Sequence, residues 1–396
     1  MMTSQGPDVV VGVDTHADTL HAAVVDTTGQ RLGDAGFPAT EAGYAALLAF
    51  AASHGRIVRI GVEGTSSYGA GLADHLRAVG VEVREVIRPS RQERRRRGKS
   101  DPVDAYAAAA VALADDDMPT PKSRDGQIEQ IRALLVARRS AVKARTAALS
   151  QISALIVTAP EQLRATLRPL GQQQRLERLA GTRSNEPLLV ALRTLARRAQ
   201  ALQAEEEQLE RLLDPIVTRA APALRAAYGV GPVTGAQLLV TVGDNPDRMR
   251  SAAAFAALCG VSPVAASSGK TNRHRLNRGG DRQANNALWR IVLVRMSSDQ
   301  RTRDYVARRT QQRMPKADII RCLKRYVADE MFKHIVNPAA VPAIDDLRPR
   351  RQERGLTLTH VAEALHVWPS TISRIERGER RDDDLAARYR DWLTAA

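Results

Sequence analysis

The stretch VVVGVDTHADTLHAAVVDTTGQRL, residues 9–32, decides the fold of the N-terminal part of this 396-residue chain. Its β-branched run Val9–Val13 is typical of a buried strand, and the run ends at Asp14. A second apolar segment, Leu20–Asp26, predicts another strand, and Thr28-Gly29 supplies a turn after it. The chain is therefore expected to open with a β-hairpin.

Alternating helices and strands follow this hairpin. Apolar periodicity predicts three helices and two strands, in chain order at residues 41–53, 57–62, 68–79, 81–87 and 104–113. This order predicts an α/β domain over residues 8–120.

Four acidic residues fall at the expected ends of these elements. Asp14 and Glu63 each follow a strand, and Asp101 and Asp104 lie three positions apart at a helix start, where their side chains face the same way. Four converging carboxylates can hold two Mg²⁺ ions roughly 3.5–4 Å apart. The alternative is that Asp101 only caps a helix and that Glu63 is a surface residue. Together the four acids favour a magnesium site.

The charge balance indicates a polyanionic partner. The chain has 59 basic and 44 acidic residues and a net charge of +15, which attracts nucleic acids because neutralised phosphates release counterions. A general arginine bias would also raise the charge, but here the basic residues cluster. The cluster predicted to contact nucleic acid includes Arg94, Arg95, Arg96, Arg97 and Lys99. The charge suits RNA as well as DNA.

The cysteines and the hydropathy bear on the compartment. Cys259 and Cys322 are far apart and match no metal-ligand spacing, which favours a reducing compartment. No apolar stretch approaches the roughly 20 residues of a membrane span, and the first residues lack the form of a signal peptide. We expect a cytoplasmic, bacterial protein that acts at the nucleoid and has no membrane partner.

Residues 121–218 are expected to form a helical arm. Apolar residues seven positions apart predict a heptad stripe on a long helix: Ile128, Leu135, Val142, Leu149 and Ile156. A second long stripe follows a break with prolines and glycines, and Glu206 interrupts it. Two long helices around a break predict an antiparallel coiled-coil arm.

Residues 219–337 are expected to be mostly helical. The turn Gly229-Val230-Gly231-Pro232 has the form of a helix–hairpin–helix, in which backbone N–H groups at Gly229 and Gly231 approach a phosphate. An ordinary packing corner between two helices is the alternative interpretation.

An irregular basic loop at residues 262–280 contains the pair Ser268-Gly269. A serine hydroxyl in such a loop can lie against a phosphodiester, with arginines balancing the charge, although Ser-Gly pairs are common in loops. The basic residues of the loop that are predicted to bind nucleic acid are Lys270, Arg273, Arg275 and Arg278.

Prolines at residues 338–349 mark a linker, and residues 350–396 look like a repressor-type helix-turn-helix. The helix that starts at Pro369 would be its reader, with three side chains projecting toward the major groove: Ser370, Thr371 and Arg374. His366 stands where a glycine is usual in the turn. A plain helical hairpin is the alternative.

These motifs, in this order and spacing, resemble one known family. The resemblance runs through GVDTHAD, VEGTSSYG and KSDPVDA, then YGVGPVTGAQLL and FAALCGVSPVAASSGKTNRHRLNRGGDRQANNALWR. The family is the DEDD-type insertion-sequence transposases, which include Piv-like invertases and bridge-RNA-guided, RuvC-like serine recombinases. The resemblance covers most of residues 9–330, and the helix-turn-helix is an addition to the common core.

The resemblance implies both a fold and an activity. It implies an RNase H-like domain similar to a Holliday-junction resolvase, a transposase domain, and DNA strand cleavage and transfer. It implies that Mg²⁺ is bound by Asp14, Glu63, Asp101 and Asp104. It also implies that Ser268, or its neighbour Ser267, attacks DNA and forms a transient phosphoserine link. The implied partners are the DNA of element ends and target, a candidate guide RNA from the element flanks, and further copies of the chain in a dimer or tetramer.

Three other interpretations remain open at this point. A Holliday-junction-type endonuclease would use the same four acids with water as the nucleophile. An actin- or sugar-kinase-like ATPase has a similar first hairpin, but no Gly-rich adenosine segment follows here. A DNA-binding scaffold built around the helix-turn-helix would leave four ordered acids without a role.

Overall fold

A computed structural model of the chain describes residues 6–86, 100–116, 118–124, 126–267, 274–378 and 382–395. The chain divides into two compact units, residues 1–125 with 243–248, and residues 126–242 with 249–396.

The first unit is built on a five-stranded mixed sheet. Its strands β1 to β5 are Asp8–Thr15, Thr19–Asp26, Arg31–Pro38, Arg56–Glu63 and Val83–Val86, in the spatial order β3-β2-β1-β4-β5. The first three strands pair antiparallel as a meander, and β4 and β5 then add parallel to β1. The predicted α/β class of the N-terminal part is confirmed, and β3 is a strand that the sequence did not predict.

Helices cover both faces of this sheet. They are α1 Glu41–His54, α2 Ala70–Ala78 and α3 Asp101–Ala114. Side chains alternate along a strand, so Val9, Val11 and Val13 of β1 share one core with buried residues of α1 and α2. Val10 lies on the opposite face, in a second core with buried alanines of α3.

Glycines on β1 and β4 let α3 lie directly on the sheet. Gly12 and Gly61 are paired neighbours on these parallel strands. A Cβ atom at Gly12 would lie 2.0 Å from the Ala109 nitrogen and 2.2 Å from the Ala105 carbonyl oxygen, and one at Gly61 would lie 2.7 Å from the Ala112 Cβ atom. No larger residue fits at this contact, so the glycines and alanines together fix α3 over the two strands.

The second unit is mostly helical. Its helices are α4 Gln127–Val157, α5 Glu161–Leu167, α6 Gln172–Ala180, α7 Pro187–Ala220, α8 Pro222–Ala226, α9 Pro232–Val242, α10 Ala252–Leu258, α11 Arg282–Ser298, α12 Gln300–Gln311, α13 Lys316–Val336, α14 Leu347–Glu353, α15 Leu358–Ala364, α16 Pro369–Glu376 and α17 Asp383–Ala395. A short 3₁₀ turn, Pro246–Arg248, belongs to the first unit, and two short strands, β6 Val264–Ala265 and β7 His274–Arg275, pair antiparallel in the second.

The long helices α4 and α7 pack side by side in opposite directions. Two ion pairs cross between them: Arg138 to Glu210 at 3.1 Å and Arg145 to Glu206 at 2.8 Å. Glu206 is buried, and its pairing with Arg145 explains how a carboxylate can interrupt the apolar stripe of α7.

The packing of α4 differs in detail from the predicted heptad stripe. Val142 and Leu149 are only partly buried, whereas the neighbouring Ala141 and Ala148, which are also seven positions apart, are buried fully. Small side chains at these positions let the two helices approach closely.

Three further cores hold the rest of the second unit. One packs α5 and α6 against α4 and α7 and includes Leu176. Another is shared by α9, α11 and α13 and includes Leu239 and Leu288. The third lies in the C-terminal module of α14 to α17 and includes Leu347 and Tyr389.

Candidate active site

The ends of two parallel strands place Asp14 beside Glu63. The register pairs Val13 of β1 with Val62 of β4, so the next residue on each strand is an acid. Alternation puts both acids on the sheet face that carries Gly12 and α3. Both are buried, and the Thr15 hydroxyl fixes the strand ends by donating a 3.0 Å hydrogen bond to the Glu63 carbonyl oxygen.

The first turn of α3 brings the other two acids to this edge. Asp101 and Asp104 are both in that turn, after Ser100 at the N-cap position. Burial raises the pKa of the Asp14 carboxyl above its ordinary value, and the charges of Asp104 and Asp101 raise it further. His16 opposes this effect. The acids of α3 are therefore close enough to Asp14 to repel its charge.

His16 belongs to this site although the sequence reasoning did not select it. Its Nε2 atom lies 3.2 Å from Asp14 Oδ2 and 3.3 Å from Asp101 Oδ1. The signal in the sequence is the spacing Asp14-Thr15-His16, because residues two apart on an extended chain face the same side.

The donor set fits a divalent cation. Asp14 Oδ2 is fully buried, and it accepts no hydrogen bond from any residue that the structure describes. His16 Nε2 lies within ion-pair distance of this oxygen, but its hydrogen bond is with Asp101. A buried carboxylate oxygen without a partner is costly unless a cation or water satisfies it. Oxygen-rich sites of this kind suit hard divalent ions.

The predicted serine and most of the predicted basic contacts lie outside the described residues. These are Ser268, Lys270, Arg273, Arg94, Arg95, Arg96, Arg97 and Lys99. The strands that flank Ser268 are described: β6 pairs with β7 through Val264 and Arg275. Residues 262–280 therefore include a short antiparallel strand pair where an irregular loop was predicted.

A cavity of about 580 Å³ adjoins this strand pair. It is lined by the predicted contacts Arg275 and Arg278 and by Lys324 and Tyr326 of α13. Asn285 holds the lysine by accepting a 2.8 Å hydrogen bond from its ammonium group. Burial, together with the charge of a neighbouring arginine, lowers the pKa of Lys324. The Tyr326 side chain is 60% exposed. Cations beside an exposed aromatic ring form a surface that suits a nucleotide.

The glycine turn between α8 and α9 is packed as a corner. Gly229 has a φ of +82°, and a Cβ atom there would lie 3.3 Å from the Ile291 carbonyl oxygen. The Gly231 N–H already donates to the Thr234 hydroxyl at 3.0 Å. This N–H group is therefore already hydrogen-bonded within the protein.

The helix that was expected to read DNA is α16, the third helix of the C-terminal module, and it begins at Pro369. Ser370 and Arg374 are exposed on α16, and Thr371 is half-buried. His366 in the preceding turn has a φ of +55°, the left-handed conformation that explains why glycine is usual there. Arg351 pairs with the buried carboxylate of Glu376 at 2.7 Å and holds the C-terminal end of this helix.

Comparison with protein families matches three segments of the chain. Residues 11–159 match the family model of DEDD-type IS110 transposases, which is described as "Transposase". Residues 221–307 match "Transposase IS116/IS110/IS902 family", and residues 345–393 match "Helix-turn-helix domain". Two segments of the chain thus match IS110-family transposase domains, and a third matches a helix-turn-helix. The predicted resemblance and the added C-terminal domain are both confirmed.

A curated relative supports the same family. The chain is 36% identical over 109 residues to "Insertion element IS110 uncharacterized 43.6 kDa protein" of Streptomyces coelicolor. The match covers 27% of this chain and 26% of that protein, so the chain matches about a quarter of the relative's length.

The family gives the acidic site a chemical context. A DEDD-type transposase domain suggests a divalent metal, and the matched segment 11–159 contains all four predicted acids. Within this domain, the ligand atoms of Asp14, His16 and Asp101 lie within 4.8 Å of one another. Among the described residues, no helix is both long enough and apolar enough to cross a membrane.

Proposed function

We propose that the chain is the transposase of an insertion sequence and catalyses DNA strand cleavage and transfer. The observation that carries the proposal is the acidic edge of the sheet of the first unit, where the ligand atoms of Asp14, His16 and Asp101 lie within 4.8 Å of one another. Asp14 and Glu63 end neighbouring parallel strands, and Asp101 and Asp104 begin the helix that covers them. A matching DEDD-type transposase domain supports this assignment of the edge as the catalytic centre.

The first unit acts as an RNase H-like domain similar to a Holliday-junction resolvase. The strand order β3-β2-β1-β4-β5, with an antiparallel meander followed by parallel strands, supports this assignment. We assign residues 8–120 to this catalytic domain, 121–218 to a coiled-coil arm, 219–337 to the transposase domain, 338–349 to a linker and 350–396 to the helix-turn-helix.

The four acids hold Mg²⁺, in two ions per site. Bound Mg²⁺ would polarise the phosphodiester and favour ionisation of the attacking hydroxyl. Asp14 has a buried oxygen without a hydrogen-bond partner among the described residues, which supports its role as a ligand. Asp101 and Asp104, at the start of α3, complete the oxygen donors opposite the two strand ends.

Ser268 is the nucleophile in this proposal. Its hydroxyl oxygen forms a bond to phosphorus, one phosphodiester P–O bond breaks, and the released DNA hydroxyl takes up a proton while the serine loses one. A hydroxyl of a second strand then attacks the phosphoserine, forms a new phosphodiester and frees Ser268. The cavity beside β6 and β7, lined by Arg275, Arg278 and Lys324, supports binding of nucleic acid by residues that flank Ser268 in the sequence.

The partners follow from these surfaces. The arginine cluster before Ser100 and the cations of the cavity bind DNA of the element ends and the target, and a guide RNA from the element flanks. The exposed Ser370 and Arg374 of α16 contact a DNA groove. In this proposal the arm formed by α4 and α7 places copies of the chain around paired DNAs in a dimer or tetramer.

Two variants test the proposal. Asp14→Asn should abolish strand exchange on a supercoiled donor while leaving DNA affinity nearly unchanged, because it removes a ligand but no DNA contact. Ser268→Ala should abolish the covalent protein–DNA product, with Ser267→Ala as the matched control. If Asp14→Asn recombines normally, the catalytic metal lies elsewhere.

The same experiment separates the alternative function. A Holliday-junction-type endonuclease would use the four acids with water as the nucleophile, and the acids are complete within one unit of the chain. In that case Ser268→Ala would still cleave branched DNA, and no covalent intermediate would form in either protein. Sequencing RNA that co-purifies with the chain expressed with its gene flanks tests the guide RNA.

A further inference from the structure

We propose that His16 is a nitrogen ligand of the metal ion held by Asp14 and Asp101, which gives this site a preference for Mn²⁺ over Mg²⁺ that a purely carboxylate site would lack. The inference rests on the proposed metal site and adds a donor of a different chemical class to it. The four acids supply oxygen only, whereas an imidazole ring supplies nitrogen.

The distances around His16 are those of neighbouring ligands on one ion. Two ligands at right angles, each about 2.1 Å from an octahedral ion, are about 3.0 Å apart. His16 Nε2 lies 3.2 Å from Asp14 Oδ2 and 3.3 Å from Asp101 Oδ1. Both distances are close to the separation expected between adjacent ligands of one ion, and the two carboxylates come from β1 and α3. Small movements of these side chains would bring all three atoms within coordinating distance of one cation.

The unpartnered oxygen of Asp14 is an independent observation. One ring nitrogen has a single lone pair or a single proton, so His16 Nε2 satisfies one carboxylate at a time. In the structure it is hydrogen-bonded to Asp101, and Asp14 Oδ2 stays buried without a hydrogen-bond partner among the described residues. An ion at the point where the three atoms converge would satisfy all of them at once.

The nitrogen donor of His16 is the reason for the expected preference for Mn²⁺ over Mg²⁺. Mg²⁺ binds oxygen ligands and water, whereas imidazole suits transition-metal ions, whose affinity for nitrogen sites exceeds that of Mg²⁺. His16 is partly exposed, with 38% of its side chain accessible, so a hydrated ion can reach it. Replacing His16 should therefore weaken Mn²⁺ binding much more than Mg²⁺ binding.

The test uses the full chain loaded with Mn²⁺ as a spectroscopic probe. Pulsed electron paramagnetic resonance should detect ¹⁴N coupled directly to Mn²⁺ in the parent protein, and His16→Gln should lose this coupling. In titrations, the ratio of Mn²⁺ to Mg²⁺ affinity should fall about tenfold in His16→Gln. His75→Gln is the matched control, because His75 also pairs with a carboxylate, Glu41 at 2.7 Å, but lies on α2, at the opposite face of the sheet from the acidic site.

The possible outcomes separate this inference from the proposed function. If Mn²⁺ binds the parent protein, is lost in Asp14→Asn, and shows no ¹⁴N coupling, the metal site stands and the role of His16 is refuted. If Mn²⁺ does not bind, or binds Asp14→Asn equally well, the metal site itself is wrong and His16 has no ligand role. Loss of ¹⁴N coupling in His75→Gln would also overturn the assignment to His16.

Discussion

Gly12→Ala is expected to disrupt the acidic site without changing any acid. A Cβ atom at position 12 would lie 2.0 Å from the Ala109 nitrogen and 2.2 Å from the Ala105 carbonyl oxygen. Both are backbone atoms of α3, so no side-chain rotation can relieve the clash. Reaching an ordinary contact of 3.4 Å requires the helix and the strand to separate by about 1.4 Å.

That separation is large compared with what a metal site tolerates. Metal–ligand distances must stay within about 0.2 Å of their preferred values, and α3 carries both Asp101 and Asp104. Mn²⁺ affinity should therefore fall at least tenfold, which corresponds to about 1.4 kcal/mol. The overpacked contact itself should lower the free energy of unfolding of the first unit by about 1–3 kcal/mol.

The assays are Mn²⁺ titration and amide hydrogen exchange of the full chain, which resolves α3 from other helices. Gly36→Ala is the matched control, because Gly36 is also on a strand of this sheet, and a Cβ atom there would lie 3.8 Å from its nearest neighbour, His21 Nδ1. Equal Mn²⁺ affinity in Gly12→Ala and Gly36→Ala, together with equal protection of the α3 amides from exchange, would refute this prediction.

Three further predictions concern charged side chains. Arg145→Leu leaves Glu206 buried without its cation and should lower the free energy of unfolding by about 3–5 kcal/mol, whereas the double leucine variant at both positions should recover most of it in denaturant unfolding. Burial raises the pKa of the Glu330 carboxyl. The hydrogen bonds and charges of Arg295 and His334 have a larger, opposite effect and lower this pKa from 4.5 to about 2. Because the folded-state pKa is depressed, its stabilisation is complete above pH 4.5 and is lost as the pH falls toward 2. Since 41% of the side chain is exposed, screening limits this to about 1–2 kcal/mol, and Glu330→Gln should flatten the acid limb of a stability-against-pH curve. Asp14→Asn should raise the melting temperature of the metal-free protein, because it removes a repelled buried charge, and should abolish the stabilisation that added Mn²⁺ gives the parent protein.

The sequence predicted the strands that carry clear apolar runs. The valine run of β1 has apolar residues on both faces, because helices cover both, and the ends of β1 and β4 place two acids at one edge. The strand β3 was missed because Gly33, Gly36 and Pro38 are poor strand formers. It is an edge strand, and its pairing with β2 holds it in place in spite of its composition.

Long-range contacts set the features that periodicity could not predict. Ala141 and Ala148 carry the arm contact because α7 approaches α4 closely there, and this depends on a partner helix about 60 residues later in the chain. His16 was missed for a similar reason. Its role depends on Asp101, which is 85 residues away and reaches it only because α3 lies on the two glycines of the sheet.

The acidic edge is costly for folding, and this cost is the strongest physical argument that it is functional. Asp14 is buried, it is repelled by Asp101 and Asp104, and one of its oxygens has no hydrogen-bond partner among the described residues. Elsewhere in the described chain, the buried carboxylates of Glu206 and Glu376 each have an arginine. Folding alone would favour the same solution for Asp14, for example an arginine on α3. A site that instead adds two more carboxylates is suited to a cation from solution, which stabilises the folded state only when it binds.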